Sequence, residues 1–189
     1  NRELAGFLAL RSPVGERLLG EVAPGESAAD PLRAVDRLRR HPALAELPEE
    51  EAAALVHALL TQVRLRSRAK AKFGPLADQM FFTPAGLEQA TRAPVAAYRA
   101  RRIADRVASA TAPVADLCCG IGADLLALAR AGLSVEGVDQ DPLTVAVAEA
   151  NIAAAGLAGR AQVRLGDATQ VRSAEYAAVF CDPARRSHR

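Results

Sequence analysis

The sequence predicts an α/β fold whose second half contains a parallel sheet, preceded by an all-α N-terminal region. Two observations lead to this prediction. After Pro113, short apolar runs alternate with longer helical segments, and each run ends in an element that contains glycine or aspartate. Residues 1–110 instead carry apolar residues at helical spacing, with prolines at the expected helix starts. Alternating strands and helices are typical of βαβ units and therefore of a parallel sheet.

The N-terminal region is expected to contain several helices. A short apolar stripe covers residues 4–10. Asp30 provides an N-cap and Pro31 the first helical position, which together open a helix over residues 32–40. The longest helix is predicted to start within residues 48–51, where glutamates favour the positive end of the helix dipole. It should end at Phe73, before a Gly-Pro pair.

Four strands and two intervening helices are predicted after Pro113. The strands cover residues 114–119, 134–138, 162–165 and 177–181, and the helices cover residues 124–131 and 143–155. Because crossovers between parallel strands are right-handed, the carboxyl ends of the strands meet at one edge of the sheet. Ligands bind at this edge in open α/β sheets, so we expect the functional site there.

The first strand leads into a glycine-rich turn, Asp-Leu-Cys-Cys-Gly-Ile-Gly over residues 116–122. Glycine lets the backbone approach a ligand closely, and the helix start that follows offers free N–H groups. The dinucleotide-binding motif has a third glycine at the position that Leu125 occupies in this chain. A nucleotide-dependent oxidoreductase is therefore a disfavoured alternative.

A carboxylate follows each of the next two strands. Asp139 can accept two hydrogen bonds from a ribose diol, whether of a dinucleotide or of another nucleoside cofactor. Asp167 can accept from the exocyclic amine of adenine, or it is a solvated turn residue. The candidate cofactor-binding residues are Asp116, Cys118, Gly120, Gly122, Asp139, Gln140, Asp167 and Ala168.

The fourth strand is followed by Asp182 and Pro183. Proline fixes its own φ and restricts the residue before it, so the backbone at this turn is stiff. A stiff turn at the rim can direct a carboxylate and backbone carbonyls at an incoming nucleophile, although an ordinary Asp-Pro turn is the other interpretation. Asp182 and Pro183 are the candidate catalytic residues.

These four elements, in this order, resemble motifs I to IV of class I S-adenosylmethionine-dependent methyltransferases. Residues 116–122 resemble the glycine-rich motif, with Asp116 as its leading acid. Asp139 matches the ribose-binding acid, Asp167 the adenine-contacting acid, and Asp182 the start of the catalytic tetrapeptide. The resemblance covers about residues 111–186. It implies a Rossmann-like class I methyltransferase core with S-adenosylmethionine as the cofactor.

The resemblance has a narrower form and two departures. Three segments are similar to those of bacterial methyltransferases that carry a THUMP-like domain and are related to trimethylguanosine synthases. They are the motif Asp-Pro-Ala-Arg-Arg at residues 182–186, Phe-Phe-Thr at 81–83, and residues 87–91. Amino-group methyltransferases typically have a proline and an aromatic residue where Ala184 and Arg185 stand. The family fold also has strands after motif IV, which implies a core truncated after strand 4, with weak cofactor binding and no turnover.

Charge suggests an RNA partner. Residues 1–110 hold 17 basic and 13 acidic residues, whereas residues 111–189 hold 7 and 9. Arg64, Arg68 and Lys72 would share one helix face, either as a solvated helix end or as an RNA-contacting surface. Arg99, Arg101 and Arg102 allow the same two interpretations.

The three cysteines do not form a disulfide framework or a zinc pattern, and we interpret them as small buried hydrophobic residues. We therefore expect a cytoplasmic protein without a metal. No apolar run approaches the length of a membrane span, so no membrane association is expected.

The predicted organisation is a helical domain over residues 1–80, a helical connector over 81–110 that precedes the first motif, and an incomplete S-adenosylmethionine-binding domain over 111–189. The predicted function is methyl transfer to RNA, at an amino or ring nitrogen of a base. A non-catalytic RNA-binding module with a vestigial nucleotide pocket is the second alternative, beside the oxidoreductase.

Overall fold

The computed structural model describes residues 2–22 and 31–183. The predicted N-cap Asp30 and the motif residues Ala184 and Arg185 lie outside these ranges. The chain divides into two compact units, residues 1–70 and 71–189. The predicted domain boundaries after residues 80 and 110 stay predictions.

In the first unit, the described residues form helices joined by short turns. These are α1 (Arg2–Leu10), α2 (Pro13–Glu21), α3 (Pro31–Arg39), a 3₁₀ turn (Pro42–Leu44) and most of α4 (Glu49–Phe73). Ser12 caps α2 by accepting a hydrogen bond from the Gly15 N–H at 3.2 Å. Gly6 lies against α4, since a Cβ there would be 3.2 Å from the Ala54 carbonyl oxygen. The all-α prediction for this region agrees with these elements.

The second unit adds two helices before the sheet and alternates strands with helices within it. In order these are a 3₁₀ turn (Gly74–Asp78), α5 (Pro84–Gln89), α6 (Ala93–Val107), β1 (Val114–Leu117), α7 (Ala123–Arg130), β2 (Val135–Asp139), α8 (Pro142–Ala154), β3 (Ala161–Leu165), two further 3₁₀ turns (Ala168–Gln170 and Ser173–Glu175) and β4 (Ala178–Cys181).

The sheet is parallel throughout, with the strand order β3-β2-β1-β4. Leu117, the last residue of β1, pairs with Val138 on one side and with Cys181 on the other. Asp139 pairs with Leu165 at the end of β3. All four strands therefore end at one edge, which confirms the predicted fold class: a Rossmann-like parallel α/β core preceded by helices.

The observed strands and helices of the sheet region differ from the predicted ranges by one or two residues. The largest difference is at β1, which ends at Leu117 rather than at residue 119. Cys118 has φ +59°, a left-handed conformation that cannot continue a strand. The strand was predicted two residues too long because Cys118 and Cys119 are apolar, although the turn already begins at Cys118.

The core of the second unit is built around β1, all of whose residues are buried. The α7 side chain Leu125 is fully buried over β2, in space that Gly137 leaves open. A Cβ at Gly137 would lie 2.4 Å from Leu125 Cδ1. None of the helices in the described ranges is both long and apolar enough to cross a membrane.

Candidate functional site

The glycine-rich turn follows β1 and has an unusual backbone. Cys118, Gly120 and Gly122 all have positive φ, at +59°, +56° and +87°. At Gly120 a Cβ would meet nothing within 4 Å, so its α-carbon faces open space. The turn leads directly into α7, whose first N–H groups need partners. This geometry leaves room for a ligand close to the backbone.

Asp139, at the end of β2, binds this turn directly. Its Oδ2 accepts a hydrogen bond from the Gly120 N–H at 3.0 Å, and its Oδ1 accepts one from the Asp141 N–H at 3.1 Å. Each oxygen of a carboxylate has a second acceptor position, so Asp139 can still bind a diol. Gln140 follows it and is exposed at the rim.

Asp167 follows β3 on the same edge and is exposed. Its Oδ1 accepts hydrogen bonds from the backbone and the hydroxyl of Thr169, both at 2.8 Å, and caps the 3₁₀ turn that begins at Ala168. These bonds hold the pKa of Asp167 below its ordinary value. A carboxylate that is ionised at neutral pH can accept from an amine.

Asp182 and Pro183 follow β4 and are exposed. The Asp182 N–H donates to the Leu117 carbonyl at 3.4 Å, beside the start of the glycine-rich turn. The structure thus brings the ends of β1, β2, β3 and β4 to one rim, as the strand order requires. The roles assigned to the individual site residues stay predictions.

Asp116 lies beneath this rim rather than on it. The residue is 1% exposed, and its Oδ2 has no hydrogen-bond partner among the described residues. Burial, together with the nearby charge of Asp124, raises its pKa to about 8. Arg99 reduces this shift, because its guanidinium pairs with Asp124 at 2.9 Å and adds positive charge nearby.

Arg99 links three elements at this point. Besides Asp124 on α7, it lies over the ring of Phe180 on β4, 4.6 Å from the ring centroid. These contacts give Arg99 a role within the fold, which is neither the solvated helix end nor the RNA contact predicted for it. Arg102 is exposed and lies over the ring of Tyr98.

The interpretation of the cysteines as buried hydrophobic residues is correct for only one of them. Cys119 is buried, and burial raises the pKa of its thiol. Cys118 is half-buried, and Cys181 is exposed because β4 is an edge strand in the described sheet. Within the described ranges, no group of three or more His, Cys, Asp or Glu side chains could hold a metal ion.

Lys72 has a structural role that its position in a basic tract did not reveal. Its Nζ donates to the carbonyls of Leu87, Glu88 and Ala90, at 2.7, 2.6 and 3.1 Å. These carbonyls lie at the end of α5, where a cation is favoured. Lys72 therefore caps α5 and is not part of a solvated basic face, whereas Arg64 and Arg68 are exposed.

Two family models match the chain. Residues 114–187 match a methyltransferase domain, and residues 3–69 match a domain of unknown function, DUF8688. The first match covers the sheet, and the second covers the helical unit. The parallel sheet and this match agree that the second unit has a Rossmann-like methyltransferase fold.

The chain is similar to longer curated proteins. An uncharacterized S-adenosylmethionine-dependent methyltransferase of Mycobacterium tuberculosis, found in two strains, is 40% identical over 135 residues, which are 69% of this chain and 35% of the relative. A 23S rRNA (uracil(1939)-C(5))-methyltransferase of Acidithiobacillus ferrooxidans is 42% identical over 64 residues, 34% of this chain and 14% of the relative. The chain thus spans about a third of the length of the first relative.

Among solved structures, the chain is similar to coclaurine N-methyltransferase bound to N-methylheliamine and SAH. The identity is 19% and the TM-score 0.42, over 95% of this chain and 51% of that one. This likeness is too low to support an argument about function.

Proposed function

We propose that this chain is the cofactor-binding part of an S-adenosylmethionine-dependent methyltransferase. The observation that carries the proposal is the hydrogen bond between the Gly120 N–H and Asp139, which joins the glycine-rich turn to the carboxylate that we assign to the ribose. The methyltransferase-domain match over residues 114–187 and the similarity to the mycobacterial methyltransferase support it.

The residues present suit this cofactor. S-Adenosylmethionine carries a methyl group on a positively charged sulfonium, which a nucleophile displaces in line. The rim carries the carboxylates of Asp139, Asp167 and Asp182, and these negative charges favour a cationic ligand. The open space at Gly120 admits a nucleoside close to the backbone.

Each residue has a distinct role in this proposal. Asp139 accepts hydrogen bonds from the ribose diol, with Gln140 beside it at the rim. Asp167 accepts from the adenine amine with its Oδ2, since its Oδ1 is used by Thr169. Asp182 orients an N–H nucleophile by accepting its hydrogen bond, and Pro183 keeps the turn stiff.

We further propose RNA as the substrate, with an amino or ring nitrogen of a base as the acceptor. The similarity over 64 residues to a methyltransferase that acts on C5 of a uracil in 23S rRNA supports the RNA substrate but not the nitrogen acceptor. The exposed Arg64 and Arg68 also support an RNA substrate. The proposed relationship to methyltransferases with a THUMP-like domain rests on residues 81–83 and 87–91. An RNA substrate also agrees with the cytoplasmic location predicted from the cysteines.

Calorimetry with S-adenosylhomocysteine and, separately, with NAD tests the cofactor. We expect saturable heat with S-adenosylhomocysteine and none with NAD, and the reverse result would favour an oxidoreductase. Mass spectrometry of RNA nucleosides from cells with and without the gene then tests the substrate. A methylated nucleoside that disappears with the gene would identify the base, whereas an unchanged RNA profile would contradict the RNA proposal.

A further inference from the structure

The buried side chain of Asn151 joins two distant segments of the second unit. Asn151 lies on α8 and is 1% exposed. Its Oδ1 accepts a hydrogen bond from the Phe81 N–H at 2.7 Å, and its Nδ2 donates to the Phe81 carbonyl at 3.0 Å and to the Ile121 carbonyl at 2.9 Å. One amide thus binds both the segment before α5 and the Ile121 carbonyl in the glycine-rich turn.

The segment around Phe81 depends on this side chain. Met80, Phe81 and Phe82 are buried and precede α5 without belonging to a helix or strand. Buried backbone groups need hydrogen-bond partners, and Asn151 satisfies both polar groups of the Phe81 backbone. The Asn151 amide therefore does for this residue what a neighbouring strand would do.

The same segment also contacts the turn through α5. Thr83 caps α5 by accepting from the Gly86 N–H at 2.9 Å. Gly86 lies directly against Ile121, since a Cβ there would be 2.4 Å from Ile121 Cγ2. The Ile121 side chain is buried against α5, and its carbonyl is held by α8. Ile121, which lies between the two glycines of the turn, is thus fixed from two sides.

We propose that Asn151 is a positioning residue for the cofactor site, acting through Ile121 and Phe81. It fixes the peptide group between Ile121 and Gly122, and with it the direction of the turn backbone that faces the ligand. It also makes residues 80–83 move together with the turn. This inference rests on the proposed function, because it assumes that the turn binds S-adenosylmethionine.

A comparison of affinity with stability tests this role. Asn151→Leu removes all three hydrogen bonds and keeps the branching at Cγ, and Asn151→Asp keeps the acceptor but removes both donors. Val135→Ala is the matched control, because Val135 is buried at the opposite end of β2 from the rim. All are measured by calorimetry with S-adenosylhomocysteine at a temperature where circular dichroism shows each protein folded.

We expect Asn151→Leu to weaken binding about tenfold or more, since about 1.4 kcal/mol corresponds to a factor of ten. Asn151→Asp should weaken binding at least as much, because its buried carboxylate would place an oxygen against the carbonyls of Phe81 and Ile121. Val135→Ala should lower Tm while its Kd stays within about twofold. Equal loss of affinity in Asn151→Leu and Val135→Ala at equal Tm would overturn the proposal. If the wild type itself does not bind S-adenosylhomocysteine, the proposed function fails instead.

Hydrogen exchange on the wild type covers the case in which the Asn151 variants do not fold. We expect S-adenosylhomocysteine to slow exchange in residues 80–83 and 118–123 together. Protection of the turn while residues 80–83 exchange unchanged would show that the two segments are not coupled.

Discussion

Leu125 lies over Gly137 so closely that a Cβ on the glycine would be 2.4 Å from Leu125 Cδ1. In this fold the close approach of helix and strand after the first turn comes from a glycine on β2 rather than from a third glycine in the turn. Leu125, whose presence in place of a third glycine disfavours a dinucleotide site, is therefore a core side chain that packs on Gly137.

Gly137→Ala is expected to destabilise the protein by about 1–3 kcal/mol through overpacking. Leu125→Ala alone should cost about 2–5 kcal/mol by leaving a cavity. The double variant should cost clearly less than the sum, because the added methyl group occupies the space that Leu125 vacates. Urea denaturation of the four proteins measures this coupling, and strictly additive values would contradict the close packing of Leu125 on Gly137.

Asp139→Ala should weaken S-adenosylhomocysteine binding by about tenfold or more. The change removes the acceptor for the Gly120 N–H and the proposed partner of the ribose diol together. Glu149→Ala on the exposed side of α8 is a matched control that removes a carboxylate away from the rim. Calorimetry checks the affinities, and an Asp139→Ala protein that binds as tightly as the control would refute the assignment.

Asp116 should make stability depend on pH. Its pKa is raised from 3.8 to about 8 by burial, so the folded state holds a proton that the unfolded state releases. The contribution of Asp116 to the free energy of unfolding therefore falls as pH rises from about 4 to about 8, and it is largest at the acidic end of that range. The Asp116→Asn variant lacks this titration.

Urea denaturation at pH 5.5 and pH 8 measures this effect. We expect the stability of Asp116→Asn relative to the wild type to improve by about 1 kcal/mol or more over this interval, since one pKa unit corresponds to about 1.4 kcal/mol. Parallel pH profiles for the two proteins would mean that Asp116 is not held protonated.

Asp182→Ala should strongly slow methyl transfer by the gene product while leaving cofactor binding nearly unchanged. Because the carboxylate is exposed at the rim, its loss should act on the orientation of the acceptor, and it should slow transfer by about 100-fold or more. Single-turnover assays with labelled S-adenosylmethionine check the rate, and calorimetry checks the binding. Undiminished turnover would remove Asp182 from the mechanism.

Arg64 and Arg68 test the RNA proposal. Reversing both charges with Arg64→Glu and Arg68→Glu should weaken binding of a labelled single-stranded RNA. It should also reduce the slope of log K against log salt concentration by about 0.7 for each phosphate that is no longer neutralised. Arg17→Glu with Arg39→Glu makes the same charge change at other exposed positions. Equal weakening in both double variants would indicate a general charge effect rather than a specific surface.

The strands of the sheet could be predicted because each apolar run ends in a glycine or aspartate that the turns require. The contacts that join these turns to the rest of the fold could not be predicted from the sequence. In the sequence, Asn151 is one polar residue on a predicted helix, and only the structure shows that it binds Phe81 and Ile121. Lys72 likewise reads as part of a basic tract, although it caps α5 across 15 or more residues of sequence. Long-range pairing of this kind leaves no periodic signal.

The left-handed backbone of Cys118 limits how far a substitution in this turn can stabilise the protein. A residue other than glycine at φ +59° carries conformational strain of about 1–3 kcal/mol. Replacing it with glycine would release that strain in the folded chain but give the unfolded chain more freedom. Because these two effects oppose each other, a glycine at position 118 would loosen the backbone at the rim without a clear gain in stability, and a screen for heat tolerance would not detect the loosening.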